Sequence, residues 1–201
     1  MLEMIQNLLN SLAVSFDLPI LDWIQANLQS GFLDFIMPII TLFGDDGIFW
    51  IAWAVLLLFF PKTRKIGLGM GIAMALGLLI CNVTLKPLIQ RPRPYDFQWD
   101  MYGREILLLT ERMHDFSFPS GHTIASFEAS VVLLKNSKKM GIPALILAIL
   151  IAFSRLYLYV HYPTDVIFSV FAGILFAFVG DALAGLIMKK VPAKKKGKYE
   201  R

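Results

Sequence analysis

One stretch of the sequence, Ser154 to Asp165, places ionisable side chains between two long apolar runs. Charged residues in such a position are costly in a membrane sequence, so a functional site is the first interpretation. His161 and Asp165 are four residues apart, and in a helix the carboxylate would hold one imidazole nitrogen while the other pointed outward. That arrangement orients a nucleophile or a base. Taken alone, the stretch fits equally well a structural His and Asp that cap a helix at a membrane surface.

A second cluster, Lys86 to Pro94, carries basic residues of the types that bind phosphate. Arg93, together with Arg155 of the first stretch, offers planar guanidinium groups that match phosphate oxygens two at a time. Lys86 adds a point charge. These residue types suit the recognition of a phosphoryl group.

A third cluster, Pro119 to His122, reads PSGH and lies where an apolar helix is expected to begin. Free backbone N–H groups around Ser120 and Gly121 can cradle an anion there, and glycine allows it to approach closely. His122 is a second imidazole besides His161. Two histidines with different neighbours can supply a nucleophile held by a carboxylate and a separate acid.

The acidic residues between these clusters do not form a metal cage. They are scattered, and most of them are expected to be solvated surface charges: Asp96, Asp100, Glu105, Glu111 and Asp115. We therefore expect basic side chains rather than Mg²⁺ to neutralise a bound phosphate, with no metal and no cofactor. Nothing in the pattern indicates a nucleic-acid partner.

The composition is that of an integral membrane protein rather than a soluble globule. Of the 201 residues, 57% are hydrophobic and 17% charged, and the mean hydropathy is +0.63. We expect an all-α, polytopic bundle of about six transmembrane helices. An amphipathic helix, broken at Pro19, should lie at the membrane interface in the N-terminal segment, residues 1–30.

The segment from Phe32 to Phe60 is the hardest to assign, because its two apolar halves around GDDG are each shorter than a spanning helix requires. Two helices extended by their flanks, one broken helix and a re-entrant hairpin are all compatible with it. Ile66 to Leu85 is a full-length span in which glycines indicate close helix packing. Pro87 to Phe118 is predicted to be an extramembrane loop. Three later spans are predicted at residues 120–134, 142–159 and 166–188.

Loop charge predicts the orientation of these spans. Thirteen of the nineteen basic residues fall on one side, in the loops near Lys62 and Lys138 and in the tail from Lys189 to Arg201. That side is expected to be cytoplasmic. The three clusters fall on the opposite face, where the remaining basic residues call for an anionic ligand. We expect a bacterial plasma membrane protein whose site faces outward.

At this point the three clusters form a recognisable pattern. They resemble the motifs of the type 2 phosphatidic acid phosphatase family, K-x6-R-P, P-S-G-H and S-R-x5-H-x3-D, in order and without departures from Lys86 to Asp165. The resemblance implies a phosphatase domain at residues 31–188, followed by a basic cytoplasmic tail at 189–201. It also implies a metal-independent reaction through a phosphohistidine.

The resemblance implies a role for each matching residue. His161 is then the nucleophile, Asp165 its orienting partner and His122 the acid for the leaving group. The phosphoryl oxygens would be bound by Lys86, Arg93, Ser120, Gly121 and Arg155. Arg91 lies outside the motif spacing and is expected at the rim of the site, and His114 in an exposed loop.

The implied substrate is a lipid phosphate or diphosphate, because its head group would meet the site while its tail stays in the bilayer. Undecaprenyl diphosphate is the leading choice, with phosphatidate and phosphatidylglycerophosphate as alternatives. Two other classes compete: a vanadium haloperoxidase, which the predicted spans disfavour, and a non-catalytic lipid-binding protein, which the intact His and Asp residues disfavour. The sequence leaves the oligomeric state open.

Overall fold

The computed structural model describes residues 2–190, and within them the chain is helical with no β-strand. Ten α-helices are numbered here in chain order: α1 (Leu2–Leu12), α2 (Leu18–Leu28), α3 (Gly31–Leu42), α4 (Ile48–Phe59), α5 (Arg64–Gly77), α6 (Lys86–Ile89), α7 (Pro94–Tyr102), α8 (Gly121–Asn136), α9 (Lys138–Tyr157) and α10 (Pro163–Lys190). The tail beyond residue 190 lies outside the described residues.

The first two helices are joined by a π-helical turn, Ala13–Asp17, so the helical path is continuous through Pro19. The predicted break at this proline is therefore wrong. The N–H of Leu18 donates to the carbonyl of Ala13, five residues back, and this wider turn precedes the proline. Pro19 then lies in the first turn of α2, where a missing N–H costs little.

The N-terminal helices pack on the end of the molecule that holds the three sequence clusters. Leu21 and Ile24 of α2 are buried in one apolar core with Tyr157 and Tyr162. The opposite side of this segment exposes large apolar residues, among them Leu8 and Trp23. An interfacial position in a membrane stays a prediction, and it would suit that exposed apolar side.

The segment before Phe60 forms two short helices, α3 and α4, of twelve residues each. A 3₁₀ turn, Asp45–Gly47, connects them, and the two helix axes are bent by 40°. The two helices are not extended by their flanks, so the pair is either a broken span or a re-entrant segment. In both cases the bend places Asp45 in the interior of an otherwise apolar stretch.

Three helices of the described chain are long and apolar enough to cross a membrane, beginning at Arg64, Lys138 and Pro163, and the bent pair of α3 and α4 makes up to four. The spans predicted at 66–85, 142–159 and 166–188 correspond to these three helices. The first continues from α5 into a π-helical segment, Leu78–Leu85. Helix α8 has sixteen residues, so the expected total of six spans stays a prediction.

Close contact between α5 and α10 is made through glycine. A Cβ atom added to Gly180 would lie 2.5 Å from the carbonyl oxygen of Gly69 and 2.8 Å from the amide nitrogen of Ala73. Both are backbone atoms, so the two helices touch without intervening side chains. This confirms the packing role predicted for Gly69, whereas a Cβ added to Gly71 meets nothing within 4 Å.

The segment predicted as a polar loop from Pro87 to Phe118 is partly helical. Helix α7 begins at Pro94, whose fixed φ suits the first helical position. It ends at Tyr102, and the next residue, Gly103, adopts the left-handed conformation (φ 61°) that terminates the helix. The segment was predicted to be a loop because it lacks an amphipathic period. Tyr95 and Phe97 nevertheless anchor α7 in the same core as Tyr157.

The opposite end of the molecule collects basic side chains around Asp181 of α10. Its carboxylate accepts from Lys65 at 2.9 Å and from Lys135 at 3.0 Å. The side chain of Asn136 also donates to it, at 2.9 Å. The basic loops predicted to share one side therefore do meet at one end of the helices, away from the three clusters.

Candidate active site

His161 and Asp165 lie together, but not on one face of a helix as predicted. His161 precedes α10, which begins at Pro163 and carries Asp165 in its first turn. His161 Nδ1 lies 3.5 Å from Asp165 Oδ2 and has no hydrogen-bond partner. This contact is longer than a hydrogen bond, and such contacts often shorten when a substrate binds. The same oxygen already accepts from the N–H of Tyr162 at 3.0 Å, so the turn before α10 is shaped by Asp165.

The other nitrogen of His161, Nε2, faces the basic group of the first motif. Arg93 Nη1 lies 3.4 Å from it and donates to the carbonyl of Val160 at 2.7 Å. Arg93 Nε donates to the carbonyl of Asp115 at 2.9 Å, and Nη2 pairs with the Asp115 carboxylate. Arg93 thus links the segment at Asp115 to the segment at Val160, which directly precedes His161.

Lys86 also pairs with Asp115, at 2.5 Å between Nζ and Oδ2. One carboxylate therefore holds both basic residues of the first motif, although its side chain is 52% exposed. Most acidic residues of this segment were predicted to be solvated surface charges, and Asp115 is an exception because it is paired with both basic residues. Burial works against its ionisation, but the hydrogen bond from Lys86 and the charge of Arg93 hold the pKa of Asp115 well below its usual range.

The PSGH segment forms the start of α8. Gly121 is its first helical residue, and a Cβ atom added there would lie 3.1 Å from the side chain of Asn82. Ser120 is buried, and its N–H donates to Ser169 at 2.9 Å. A phosphate contact from Ser120 would therefore require a rearrangement, and that assignment stays a prediction.

His122 has a partner that the sequence interpretation missed. Its Nε2 lies 2.6 Å from a carboxylate oxygen of Asp45, in the turn between α3 and α4. The signal was present, because Asp45 is an ionisable residue inside an apolar stretch, which is the same reasoning that singled out Ser154 to Asp165. Asp45 fixes the imidazole of His122 at the wall of the site.

Arg155 is fully buried near the end of α9. Its guanidinium donates to the hydroxyl of Thr41 on α3 and lies 3.2 Å from the sulfur of Met113. The Nε atom has no partner. Arg155 is thus close to the site but does not line its cavity, so direct phosphate binding by this residue stays a prediction.

Arg91 was predicted at the rim of the site, and this prediction is wrong. Its side chain is 1% exposed, and Nη1 lies 2.5 Å from Asp165 Oδ1. The other Nη atom pairs with Asp17 at 2.7 Å. The motif spacing could not reveal this contact because Asp17 and Asp165 are far away in the sequence.

The electrostatic environment favours a neutral His161. Burial and the charges of Arg93 and Arg155 lower the pKa of His161 well below its ordinary value near 6.5. A neutral imidazole keeps a lone pair for attack, whereas an imidazolium has none. The environment therefore keeps on His161 the lone pair that a nucleophile requires.

A single cavity of about 1030 Å³ collects most of the site residues. Lys86, Arg93, His122 and His161 line its polar part, together with Gly121, His114 and the two carboxylates Asp45 and Asp115. His114 is exposed, as predicted. The cavity continues between α4, α5 and α8 along apolar side chains that include Ile51, Val55 and Leu78.

Among residues 2–190, no group of three or more His, Cys, Asp or Glu side chains is arranged to hold a metal ion. Lys86 and Arg93 supply the positive charge that an anionic ligand needs, and the nearest carboxylates are paired with basic groups, Asp115 with Lys86 and Arg93 and Asp45 with His122. Metal independence stays a prediction that an assay must test.

Comparison with known proteins places this geometry beside a family of membrane phosphatases. The profile of the PAP2 superfamily matches residues 66–183. An undecaprenyl-diphosphatase of Sulfolobus acidocaldarius is 34% identical over 155 residues, which are 77% of this chain and 71% of that protein. The undecaprenyl-diphosphatase BcrC of Bacillus subtilis is 32% identical over 147 residues, with 73% and 72% covered. The crystal structure of a transmembrane PAP2-type phosphatidylglycerolphosphate phosphatase from Bacillus subtilis is similar with a TM-score of 0.62 at 28% identity, covering 83% of this chain and 82% of that one.

Proposed function

The chain belongs to the PAP2 superfamily, and on that premise we propose that it removes the terminal phosphate of undecaprenyl diphosphate. The general class, a lipid phosphatase of the membrane, follows from the family. The choice of substrate is supported by the two undecaprenyl-diphosphatases, which are 34% and 32% identical to this chain.

The observation that carries the proposal is the shape of the cavity. Its polar part holds basic side chains and two histidines, and its continuation between α4, α5 and α8 is lined mainly by apolar side chains, with Glu128 of α8 as the exception. A lipid phosphate has the same division, with a doubly charged head and an insoluble tail. The head would bind at Lys86 and Arg93 while the first part of the tail lies along α4.

We assign the bond-making step to His161 Nε2, since Nδ1 faces Asp165. Attack of Nε2 on the terminal phosphorus forms a phosphohistidine and breaks the bond to the lipid phosphate oxygen. His122 gives a proton to that oxygen, and Asp165 stabilises the positive charge that develops on the His161 ring. Water then gives a proton back to His122 and attacks the phosphorus of the phosphohistidine, which releases inorganic phosphate and regenerates His161.

The same assignment explains how the reaction proceeds without a metal. Lys86, Arg93 and Arg155 would supply the positive charge that balances the phosphoryl oxygens in the transition state. Guanidinium groups suit this role because their donors match pairs of oxygens. No residue is left over that must bind Mg²⁺ in this scheme.

We place the site at the outer face of a bacterial plasma membrane. The basic residues around Asp181 lie at the other end of the helices, and positive loops favour the cytoplasmic side. A substrate that reaches the site from the outer leaflet would enter the cavity from the side, with its tail still in lipid.

A second candidate substrate is phosphatidylglycerophosphate. It is favoured by the similarity to the phosphatidylglycerolphosphate phosphatase structure, at 28% identity. Both candidates use the same site and the same chemistry, so only the relative rates distinguish them.

The experiment is phosphate release by detergent-purified protein on undecaprenyl diphosphate, phosphatidylglycerophosphate and phosphatidate in parallel. We expect the highest kcat/KM on the diphosphate, full activity in EDTA, and loss of activity with vanadate, which occupies phosphoryl sites. A His161→Ala variant is the control for contaminating phosphatases. Absence of phosphate release from all three lipids would refute the function, and a strict requirement for Mg²⁺ would refute the proposed site.

A further inference from the structure

The carboxylate of Asp165 has partners besides His161, the histidine that it faces. Oδ1 accepts from Arg91 at 2.5 Å. Oδ2 accepts from the hydroxyl of Ser117 and from the N–H of Tyr162. Because Arg91 takes one oxygen, the other oxygen is turned toward His161.

Arg91 is itself held from several directions, and its side chain is almost fully buried. Nη2 pairs with Asp17 at 2.7 Å and lies 3.2 Å from the carbonyl of Leu9. Nη1 also donates to the hydroxyl of Thr164 at 2.8 Å. The guanidinium lies over the ring of Tyr162, with 3.7 Å from Cζ to the ring centre. These contacts at both Nη atoms and on the face of the guanidinium fix the orientation of the Arg91 side chain.

Asp17 connects this cluster to the N-terminal helices. It lies in the π-helical turn before α2 and is fully buried. Its other oxygen accepts from the N–H of Thr164 at 2.8 Å, at the start of α10. A carboxylate at a helix N-terminus also interacts favourably with the helix dipole. The helix that begins the chain thus contacts both Arg91 and the turn that carries Asp165.

Two carboxylates share one guanidinium in this cluster, and each depends on it. A buried carboxylate without a positive partner is strongly unfavourable, so the guanidinium of Arg91 offsets the cost of burying both Asp165 and Asp17. Asp17 has no contact with His161 or with the cavity lining. Its effect on the reaction must therefore pass through Arg91 and Thr164.

We propose that Arg91 and Asp17 are positioning residues that hold the Asp165 carboxylate toward His161, so that the N-terminal helix forms part of the active site. The proposal rests on the phosphatase function proposed above, with His161 as nucleophile. It assigns a role to Arg91 of the dipeptide Arg91-Pro92, which precedes the Arg93-Pro94 pair of the family motif and is not part of that motif. It also explains why a helix outside the predicted phosphatase domain is pinned to the start of α10.

The test compares two isosteric changes on the same helix, Asp17→Asn and Asp22→Asn. Asp22 also ties the helix to the body of the protein, through Arg104 at 2.9 Å and Tyr159 at 2.8 Å, but it does not contact Arg91 or Asp165. We expect Asp17→Asn to lower kcat by about 5- to 100-fold with KM within about twofold, because misplacing a reacting group by about 1 Å can cost on the order of 10²-fold. Asp22→Asn should leave kcat within about threefold of the wild type.

A double-mutant cycle separates positioning from folding. In an Asp165→Asn background, measured as single turnovers at high enzyme concentration, Asp17→Asn and Arg91→Lys should cost little further activity. Losses that multiply in that background would overturn the proposal, as would equal losses for Asp17→Asn and Asp22→Asn. If Asp165→Asn shows no turnover, the kinetic constants of the single variants Asp17→Asn and Arg91→Lys decide the question. A rise in KM without a fall in kcat in these variants would overturn the positioning role. An active wild-type enzyme with these contrary results would overturn this inference and leave the proposed function standing.

Discussion

The two histidines of the site have different surroundings, and the difference can be measured through the leaving group. His161 is buried between basic residues and faces Asp165, whereas His122 lies against Asp45 at the cavity wall. If His161 is the nucleophile, His161→Ala should abolish turnover on every substrate. If His122 gives its proton to the departing oxygen, the importance of His122 should increase with the basicity of that oxygen.

This yields a prediction for His122→Ala on two substrates. Phosphatidate releases an alkoxide, which needs a proton, whereas a lipid diphosphate releases a phosphate monoester with a pKa of about 6. The variant should lose most of the roughly 10²- to 10⁴-fold typical of general acid catalysis on phosphatidate, and clearly less on the diphosphate. Measurement of kcat/KM for both variants on both substrates tests this. Equal losses on the two substrates would contradict the acid role.

Asp115 forms ion pairs with the basic residues that are expected to bind a phosphate. It pairs with both Lys86 and Arg93 while its side chain is 52% exposed. A bound phosphoryl group must displace this carboxylate or accept its repulsion. We therefore expect Asp115 to compete with the substrate for these two basic residues.

Asp115→Asn is accordingly expected to tighten inhibition by vanadate or inorganic phosphate by about 3- to 10-fold, a modest gain because the pair is half exposed to solvent. The measurement is the inhibition constant on one substrate at fixed pH. Asp96→Asn is the matched control, since Asp96 pairs with Arg112 in the same region without contacting Lys86 or Arg93. Weaker inhibition in Asp115→Asn would mean that the carboxylate organises the basic residues instead of competing for them.

At the scale of helices, the packing of the fold depends on how closely α5 and α10 approach. Gly180 lies against the backbone at Gly69 and Ala73, so a methyl group there would force the two helices apart. A Cβ atom added to Gly185, on the same helix, would have its nearest neighbour at 3.6 Å, and that neighbour is Cε of the flexible Lys65 side chain. The two positions differ in contact but not in helix or residue type.

Gly180→Ala should therefore destabilise the protein by roughly 1 to 3 kcal/mol, the usual cost of overpacking. Gly185→Ala should be neutral or slightly stabilising, because alanine is the better helix former. Thermal unfolding of both variants in the same detergent measures the difference. A Gly180→Ala protein as stable as Gly185→Ala would show that the helices can separate without cost.

Sequence patterns predicted the helices and the three clusters better than the contacts between them. The motifs correctly indicated that Lys86, His122 and His161 share one site, because all three motifs lie where helices begin or end at the same end of the molecule. The partners Asp17, Asp45 and Asp115 were missed or misread. Asp17 meets Arg91 across 74 positions and Asp45 meets His122 across 77, and a single sequence contains no information on such pairs.

The local geometry of His161 and Asp165 shows the same limit at shorter range. The four-residue spacing suggested a shared helix face, yet Pro163 begins α10 between them. They approach because Asp165 accepts the N–H of Tyr162 and draws the preceding turn toward the helix. The proximity was predicted and its structural cause was not.

For the molecule as a whole, the division of charge between its two ends predicts how it sits in the membrane. Lys65 and Lys135 meet at Asp181, and the site residues lie at the other end of α8 and α10. Helix α8 alone separates the two ends by about 24 Å, at 1.5 Å per residue, which is most of the hydrocarbon thickness of a bilayer. The two ends should thus face different compartments, with the basic end in the cytoplasm.

Cysteine labelling in intact cells tests this orientation, because the chain has one native cysteine, Cys81, which is buried and can be replaced by alanine. In that background Ser137→Cys, between α8 and α9, should be shielded from an impermeant thiol reagent, and Tyr102→Cys, at the exposed end of α7, should be labelled. Permeabilised cells provide the control, since both positions should then react. Both variants must also retain phosphatase activity, so that labelling reports the native fold. Labelling of Ser137→Cys but not Tyr102→Cys in intact cells would reverse the orientation and place His161 at the cytoplasmic face, where the substrate would have to be drawn from the inner leaflet.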